Sequence, residues 1–182
     1  MRKESYDFLK RLLSAPGPSG REEAAARVWR EEAGRFADGV RGDRMGNSFA
    51  TLNPGGRPRV MLSGHIDEIG LIVTHVDEQG FVRFKGVGGW DPQVLVGQRV
   101  RLRTGSGEIP GVIGKKAIHL MESEERKKAS EIKGLWIDIG ARDAEEARRS
   151  VRVGDVAVLD QEPVELPNGR LASRSLDNRM GA

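Results

Sequence analysis

The chain has 182 residues, of which 37% are hydrophobic, and its 30 lysines and arginines nearly balance its 27 aspartates and glutamates. That length allows one sizeable core, or one compact domain with part of another, and the scattered charges lack the basic stripe of a nucleic-acid-binding surface. Because the sequence contains no cysteine, disulfides and thiolate metal sites are excluded, and any metal must be bound by His, Asp or Glu.

The N-terminal residues include no apolar segment of the kind found in signal peptides. No apolar run elsewhere reaches the length of a membrane span. We therefore predict a cytoplasmic protein that binds neither membranes nor nucleic acid.

Two helices are predicted at the start of the chain. The apolar residues of the first fall on one helical face, which comprises Phe8, Leu9, Leu12 and Leu13. The Pro-Gly-Pro sequence at 16–18 ends this helix, and residues 19–22 match a capping box formed by Ser19 and Glu22. The second helix is expected to direct four residues towards a core, namely Ala25, Val28, Trp29 and Phe36.

Short strands are predicted next, at Asn47–Leu52 and Arg59–Ser63, with a turn signal at 53–56 between them. The apolar run Val60–Leu62 is the best candidate for a buried strand. It would deliver His65 just beyond its carboxyl end, which is where open α/β sheets place their ligands.

From Ile69 onwards, short β-type runs alternate with glycines and charged turns, which is typical of a small barrel or sandwich. The runs are Ile69–Val76, Phe81–Lys85, Gln98–Arg103, Ile109–Ile113, Leu135–Ile139 and Asp155–Leu159. One helix is predicted at Ala144–Ser150 with Asp143 as its cap, and the charged segment Glu122–Lys128 is predicted to be a mobile loop.

These elements predict an α/β protein interrupted by a β-rich insertion. We expect residues 1–68 to form the first part of one domain, 69–168 the inserted domain, and 169–182 the return to the first domain. An inserted domain leaves and rejoins its host at neighbouring points, so residues far apart in sequence can meet there.

His65 and Asp67 form a His-x-Asp sequence directly after the predicted strand. His65 is a candidate metal ligand whose imidazole is oriented by the Asp67 carboxylate. The alternative is a capped strand end with a solvated aspartate, since His-x-Asp alone is a weak metal signal. The neighbours Gly64 and Glu68 add slightly to the metal interpretation.

Asp177 lies in the sequence Ser-Leu-Asp-Asn-Arg at 175–179. Its carboxylate is a candidate bridge between two cations, and the alternative is the N-cap of a helix that starts at Asn178. Of the other histidines, His75 falls inside an apolar run and is interpreted as a strand residue, while His119 is an accessory candidate. The glycines of 86–90 lack the setting of a phosphate-binding loop, so they are predicted to form a tight turn around Trp90.

Six stretches, in the same order along nearly the whole chain, resemble peptidase family M42. This is a family of dinuclear aminopeptidases that includes glutamyl and deblocking aminopeptidases and the TET peptidases, and some members carry the label cellulase M. The stretches are Ala15–Glu22, Gly64–Gly70, Gly88–Pro92, Gly111–Gly114, Leu135–Ala141 and Ser175–Arg179.

The resemblance implies a partial α/β/α aminopeptidase domain with an inserted, PDZ-like small β-barrel. It implies two divalent metal ions, with zinc or cobalt favoured. His65 would bind one of them, Asp177 would bridge both, and Asp67 would support His65 as the catalytic carboxylate. It also implies peptide substrates, a cis peptide between Asp177 and Asn178, and homo-oligomers built through the barrel, in which dimers assemble to a dodecamer in similar proteins.

In similar proteins a Glu-Glu pair, another acidic ligand and a final His follow the Asp-Asn sequence, and none of these follows Asp177 and Asn178 within the 182 residues. We therefore expect the chain to hold only the N-terminal part of the site and to be inactive alone. Glycoside hydrolysis, suggested by the cellulase label, needs two carboxylates flanking a sugar, whereas Asp67 and Glu68 are adjacent. The remaining alternative is a non-catalytic assembly or binding module built on the β insertion.

Overall fold

The computed structural model describes every residue from Met1 to Ala182. The helices are α1 (Lys3–Ser14), α2 (Glu23–Ala33), α3 (Ser123–Arg126), α4 (Ala144–Ser150) and α5 (Leu176–Arg179). The strands are β1 (Gly39–Gly42), β2 (Ser48–Thr51), β3 (Gly70–Val76), β4 (Val82–Val87), β5 (Arg99–Thr104), β6 (Gly107–Lys115), β7 (Leu135–Asp138), β8 (Val156–Leu159), β9 (Val164–Leu166) and β10 (Arg170–Ala172). None of the helices has the length and apolar character needed to cross a bilayer.

The chain divides into two compact units, one formed by Met1–Glu68 with Gln161–Ala182 and the other by Ile69–Asp160. The second unit ends at Asp160, before the predicted boundary at 168. The reason is that β8 is the last strand of the barrel, where it pairs with β3 and β5. Strands β9 and β10 pair only with each other and belong to the first unit.

The second unit is a closed antiparallel barrel with the strand order β3-β4-β7-β6-β5-β8. All six predicted β runs form its strands. Alternate residues point inward and build one apolar core, which includes Leu71, Val73, Val82, Phe84, Val100, Leu102, Ile113, Leu135, Ile137 and Ala157. Helix α4 begins as predicted, since the Asp143 carboxylate accepts a hydrogen bond from the backbone N–H of Glu146 at 2.8 Å.

Two connections of the barrel are more specific than the sequence suggested. The predicted loop at 122–128 contains the helical turn α3, whose free N–H groups are satisfied by a capping box between Glu122 and Glu125. The turn before Trp90 is tight, with Gly88 at φ +83°. The indole N–H of Trp90 donates to the carbonyl of Gly70 at 2.8 Å, as expected for a packed tryptophan.

In the first unit, α1 buries Leu9, Leu12 and Leu13, as predicted. The prediction that Phe36 faces the core is wrong, because α2 ends at Ala33 and Phe36 is 64% exposed. The predicted capping box is also wrong, since the helix begins at Glu23 and no side chain caps it.

The segment Val60–Leu62, predicted to be a buried strand, pairs with no other strand of the structure. Its three side chains are 76%, 88% and 91% exposed. The apolar composition indicates that the segment is suited to burial, but burial also needs neighbouring strands. The first unit offers only the two-stranded sheets β1–β2 and β9–β10, and neither extends to this segment. His65 therefore follows a solvent-facing segment that forms no strand or helix.

Candidate functional site

Two segments of the first unit meet around the candidate residues, 64–68 and 174–181. Their backbones come so close that a Cβ atom on Gly64 would lie 2.7 Å from the carbonyl oxygen of Gly181. Such a separation is shorter than any real Cβ contact, so the approach requires glycine at position 64. The motif of His65 and the motif of Asp177 are thus brought together by backbone packing.

The Asp67 carboxylate is held from both sides. Its Oδ1 lies 2.8 Å from Nδ1 of His65, and its Oδ2 accepts a hydrogen bond from the hydroxyl of Ser19. The Ser19 hydrogen bond, followed by the contact with His65, holds the pKa of Asp67 below its usual value, although burial acts in the opposite direction. Ser19, which the sequence suggested as a helix cap, instead fixes this carboxylate in its ionised form.

His65 and Asp177 also meet, as expected, with Nε2 of the imidazole 3.3 Å from Oδ1 of the carboxylate. Both side chains face solvent, since 54% of His65 and 97% of Asp177 is exposed. The peptide bond between Asp177 and Asn178 is cis, as the resemblance implied. The interpretation of Asp177 as a helix N-cap is wrong, because Ser175 occupies the cap position of α5.

This arrangement places two hydrogen-bond acceptors face to face. Because Nδ1 of His65 contacts a carboxylate, the neutral ring carries its proton there, and Nε2 carries a lone pair; this tautomer is inferred from the partner of Nδ1. A lone pair and a carboxylate oxygen repel each other, whereas a metal ion placed between them would be bound by both.

The donor set fits a divalent metal ion. Zinc binds imidazole nitrogen and carboxylate oxygen at about 2.0–2.2 Å in tetrahedral geometry, which puts two ligand atoms roughly 3.3–3.6 Å apart. The separation of 3.3 Å between His65 and Asp177 lies at the short end of that range. No group of three or more His, Asp or Glu side chains in the chain is placed to hold a metal. His75 lies on β3 and His119 in the turn at 118–120, and both are exposed.

A buried ionic cluster of Glu68, Arg174 and Arg179 was not predicted from the sequence. The side chains of these residues are 2%, 5% and 0% exposed, respectively. One oxygen of Glu68 accepts from Arg174, and the other lies 3.3 Å from Nη2 of Arg179 and accepts from the backbone N–H of Gly17 at 2.9 Å. Charged residues flanking both motifs were the available signal, but sequence alone cannot tell a buried charge from a solvated one.

This cluster also bears on the glycoside-hydrolase alternative. Both oxygens of the Glu68 carboxylate are engaged by the arginines and by Gly17 inside the first unit. A glycosidase needs each of its two carboxyl groups to face the sugar. Glu68 therefore cannot serve as the second acid beside Asp67.

Comparisons with known proteins point to one family. Residues 46–182 match the family model described as M42 glutamyl aminopeptidase. The chain is 32% identical over 178 residues to the lysyl aminopeptidase of Pyrococcus furiosus, an alignment covering 96% of this chain and 51% of that protein. Its fold is similar to that of a TET aminopeptidase from a marine sediment archaeon of the Thaumarchaeota, with a TM-score of 0.92, 38% identity, and coverage of 98% of this chain and 51% of that chain.

A third similar protein is the TET1 peptidase of Pyrococcus horikoshii, with a TM-score of 0.85, 37% identity, and coverage of 97% of this chain and 52% of that chain. That peptidase can assemble into a tetrahedron or a large octahedral shell. The chain thus spans about half the length of the relatives that it matches.

Proposed function

The chain belongs to the M42 family of glutamyl aminopeptidases, and we propose that it is the N-terminal part of a metal-dependent aminopeptidase that removes N-terminal residues from peptides. Two observations support the proposal that the chain is one part of a longer protein. The chain spans about half of its relatives' length, and the apolar segment Val60–Leu62 has no strand beside it. The other half would supply strands that cover this segment, together with the remaining metal ligands and the general base.

The face-to-face arrangement of His65 and Asp177 is the observation that carries this proposal. His65 and Asp177 would hold divalent metal, zinc or cobalt, with Asp177 bridging two ions. Asp67 would keep the imidazole in the tautomer that presents Nε2, and Ser19 would keep Asp67 ionised. When bound, the metal ions polarise a peptide carbonyl and lower the pKa of water.

The sequence suggests where the protein works, and the resemblance suggests how it assembles. We propose a cytoplasmic homo-oligomer, in which the barrel of the second unit provides the self-association surface. Its substrates would be peptides with a free amino terminus, and the residue preference would depend on groups that the other half of the protein contributes. The alternative is a non-catalytic assembly module built on the same barrel.

Metal binding tests the candidate site directly. Titration with Co²⁺, followed by its visible absorption and by calorimetry, should give an affinity at least about tenfold higher for the wild-type chain than for His65→Ala or Asp177→Ala. His119→Ala removes an exposed histidine outside the site and should bind like the wild type. Equal affinities for all four proteins would contradict the proposed metal site and favour the assembly module.

A second expectation is that the chain alone does not hydrolyse leucyl or glutamyl anilides. It brings together two metal ligands, whereas catalytic zinc takes about three from the protein. A missing general base removes a further factor of about 10²–10⁴ in rate. The assay compares the chain, with Zn²⁺ or Co²⁺, to a protein that also carries the second half of a relative. Metal-dependent hydrolysis by the chain, abolished in His65→Ala, would show that the site is already complete.

A further inference from the structure

Asp177 is the most exposed residue of the candidate site, yet its neighbours are buried. Its side chain is 97% exposed and its only charged contact is with His65. Two residues to either side, Ser175 is 0% exposed and Arg179 is 1% exposed. The backbone that carries the Asp177 carboxylate is therefore anchored on each side by one of these two flanking side chains.

Arg179 is hydrogen-bonded to the backbone of two other segments of the first unit. Its Nε donates to the carbonyl of Ile66 at 2.8 Å, and Ile66 lies between His65 and Asp67 in the sequence. Its Nη1 donates to the carbonyls of Leu12 and Ala15, both at 2.6 Å. One guanidinium thus joins the end of α1, the His65 segment and the Asp177 segment.

The remaining guanidinium nitrogen of Arg179, Nη2, faces the Glu68 carboxylate, and Ser175 contacts the same guanidinium group. Nη2 of Arg179 is 3.3 Å from Oε1 of Glu68. The Ser175 hydroxyl donates to the carbonyl of Leu13 at 2.9 Å and accepts from Nη1 of Arg179 at 3.3 Å. Gly17 leaves room for the guanidinium, since a Cβ atom at that position would lie 2.7 Å from Nη2 of Arg179.

We propose that Arg179 is a positioning residue that holds the Asp177 carboxylate opposite His65. Its guanidinium group binds the backbone at Ile66, between His65 and Asp67. Its own backbone lies two residues after Asp177, so the side chain of Arg179 holds the two segments together. The role as a metal-site positioner rests on the proposed function, whereas the positioning of the two side chains does not. Lysine cannot replace the guanidinium group of Arg179, because an ammonium group has three donors at one point instead of five in a plane.

The test is Arg179→Lys, with Arg35→Lys as the matched control, because Arg35 pairs with Glu32 on the surface and is 66% exposed. The first readout is the ¹⁵N resonance of Nε2 of His65 in metal-free protein. In the wild type and in the control, adding Asp177→Asn should shift this resonance. In the Arg179→Lys background the same substitution should have little effect, because the carboxylate no longer lies opposite the ring.

The second readout is Co²⁺ affinity, which should fall about 10–100-fold in Arg179→Lys and remain unchanged in the control. If the wild type binds no Co²⁺, the proposed metal function fails, and the resonance experiment alone decides the positioning role. If Asp177→Asn shifts the Nε2 resonance of His65 equally in the wild type and in Arg179→Lys, the inference is overturned, even if Arg179→Lys melts at a lower temperature.

Gly17→Ala provides an independent variant that keeps the arginine and its charge. The added methyl displaces the guanidinium of Arg179. It should therefore also reduce the coupling between Asp177 and His65, which is measured as the shift that Asp177→Asn causes in the Nε2 resonance of His65. Gly55→Ala is its control, because a Cβ atom at Gly55 would meet nothing within 4 Å. Preserved coupling in a folded Gly17→Ala, or loss of the folded state in both Gly17→Ala and Arg179→Lys, would assign a purely structural role to the cluster and overturn the proposal.

Discussion

Glu68 is a buried acid that contacts two arginines, so one negative charge faces two positive charges. Two guanidinium groups surround one carboxylate, which leaves a net positive charge inside the first unit. Burial lowers the pKa of Arg179, and Glu68 and Asp67 act against this effect. A buried ion cluster contributes little net stability when intact, but removing one member leaves an uncompensated charge.

Glu68→Gln should therefore be strongly destabilising, although the amide has nearly the same shape. We expect the free energy of unfolding of the first unit to fall by about 3–5 kcal/mol, because two cations would then face each other without an anion. Urea denaturation measures the loss. The exposed Glu31→Gln should change it by less than about 0.5 kcal/mol. Similar small effects for both variants would mean that the cluster is hydrated in solution.

The hairpin of β3 and β4 is stabilised by an ion pair between Asp77, at the turn, and Arg83. Asp77 accepts hydrogen bonds from Nε and Nη2 of Arg83 at 3.0 and 2.7 Å, and from the backbone of Phe81 at 2.9 Å. The guanidinium of Arg83 lies over the ring of Trp136 on β7, 5.4 Å from its centroid. Burial would raise the pKa of Asp77, but the hydrogen bonds of Arg83 and Phe81 outweigh it and hold the pKa below its usual value.

Asp77→Asn should destabilise the barrel by about 1–3 kcal/mol at pH 7, which is typical for loss of charged hydrogen bonds. Because the folded pKa is lowered, the contribution of Asp77 is fully present above the unfolded pKa of about 3.9 and is lost as the pH falls through the folded value. The difference between wild type and variant should thus shrink below about pH 4. Unfolding at pH 7 and pH 3 measures this difference, and the exposed Glu78→Gln serves as control. A difference that does not change with pH would contradict the assignment.

The two units of the molecule bury their apolar residues to different degrees. The barrel closes on itself, so its strands have no free edge and its core needs no further partner. In the first unit, α1 and α2 bury one apolar layer, whereas Val60–Leu62 and much of the sheet β1–β2 remain exposed. A two-stranded sheet has little stability of its own, so the stability of this unit comes mainly from its helices.

This difference leads to opposite expectations for two apolar residues. Met61→Lys should change the free energy of unfolding by less than about 0.5 kcal/mol, because Met61 is 88% exposed. Leu12→Ala should cost about 2–5 kcal/mol, because Leu12 is 0% exposed on the inner face of α1. Urea denaturation of the two variants beside the wild type provides the comparison. A loss above about 1.5 kcal/mol for Met61→Lys would show that the segment is covered in solution.

Features that depend on neighbouring residues in the chain were predictable from the sequence. The six barrel strands follow from apolar alternation between glycine-rich turns, α1 from its apolar face, and α4 from its cap at Asp143. The resemblance to the M42 family added the pairing of His65 with Asp177, which no local pattern indicates. Ser19 and Glu22 show the limit of local rules, because the hydroxyl that matched a capping box is bound by Asp67 instead.

Tertiary structure alone decided which charges are buried and which apolar residues remain exposed. Glu68, Arg174 and Arg179 look like surface residues in sequence, yet they form the ionic cluster beneath the site. Val60–Leu62 looks like a core strand, yet it faces solvent. The physical reason is the same in both cases: burial depends on partners contributed by distant parts of the chain. Arg179 finds carbonyls from α1 and from Ile66, whereas Val60–Leu62 finds no strand.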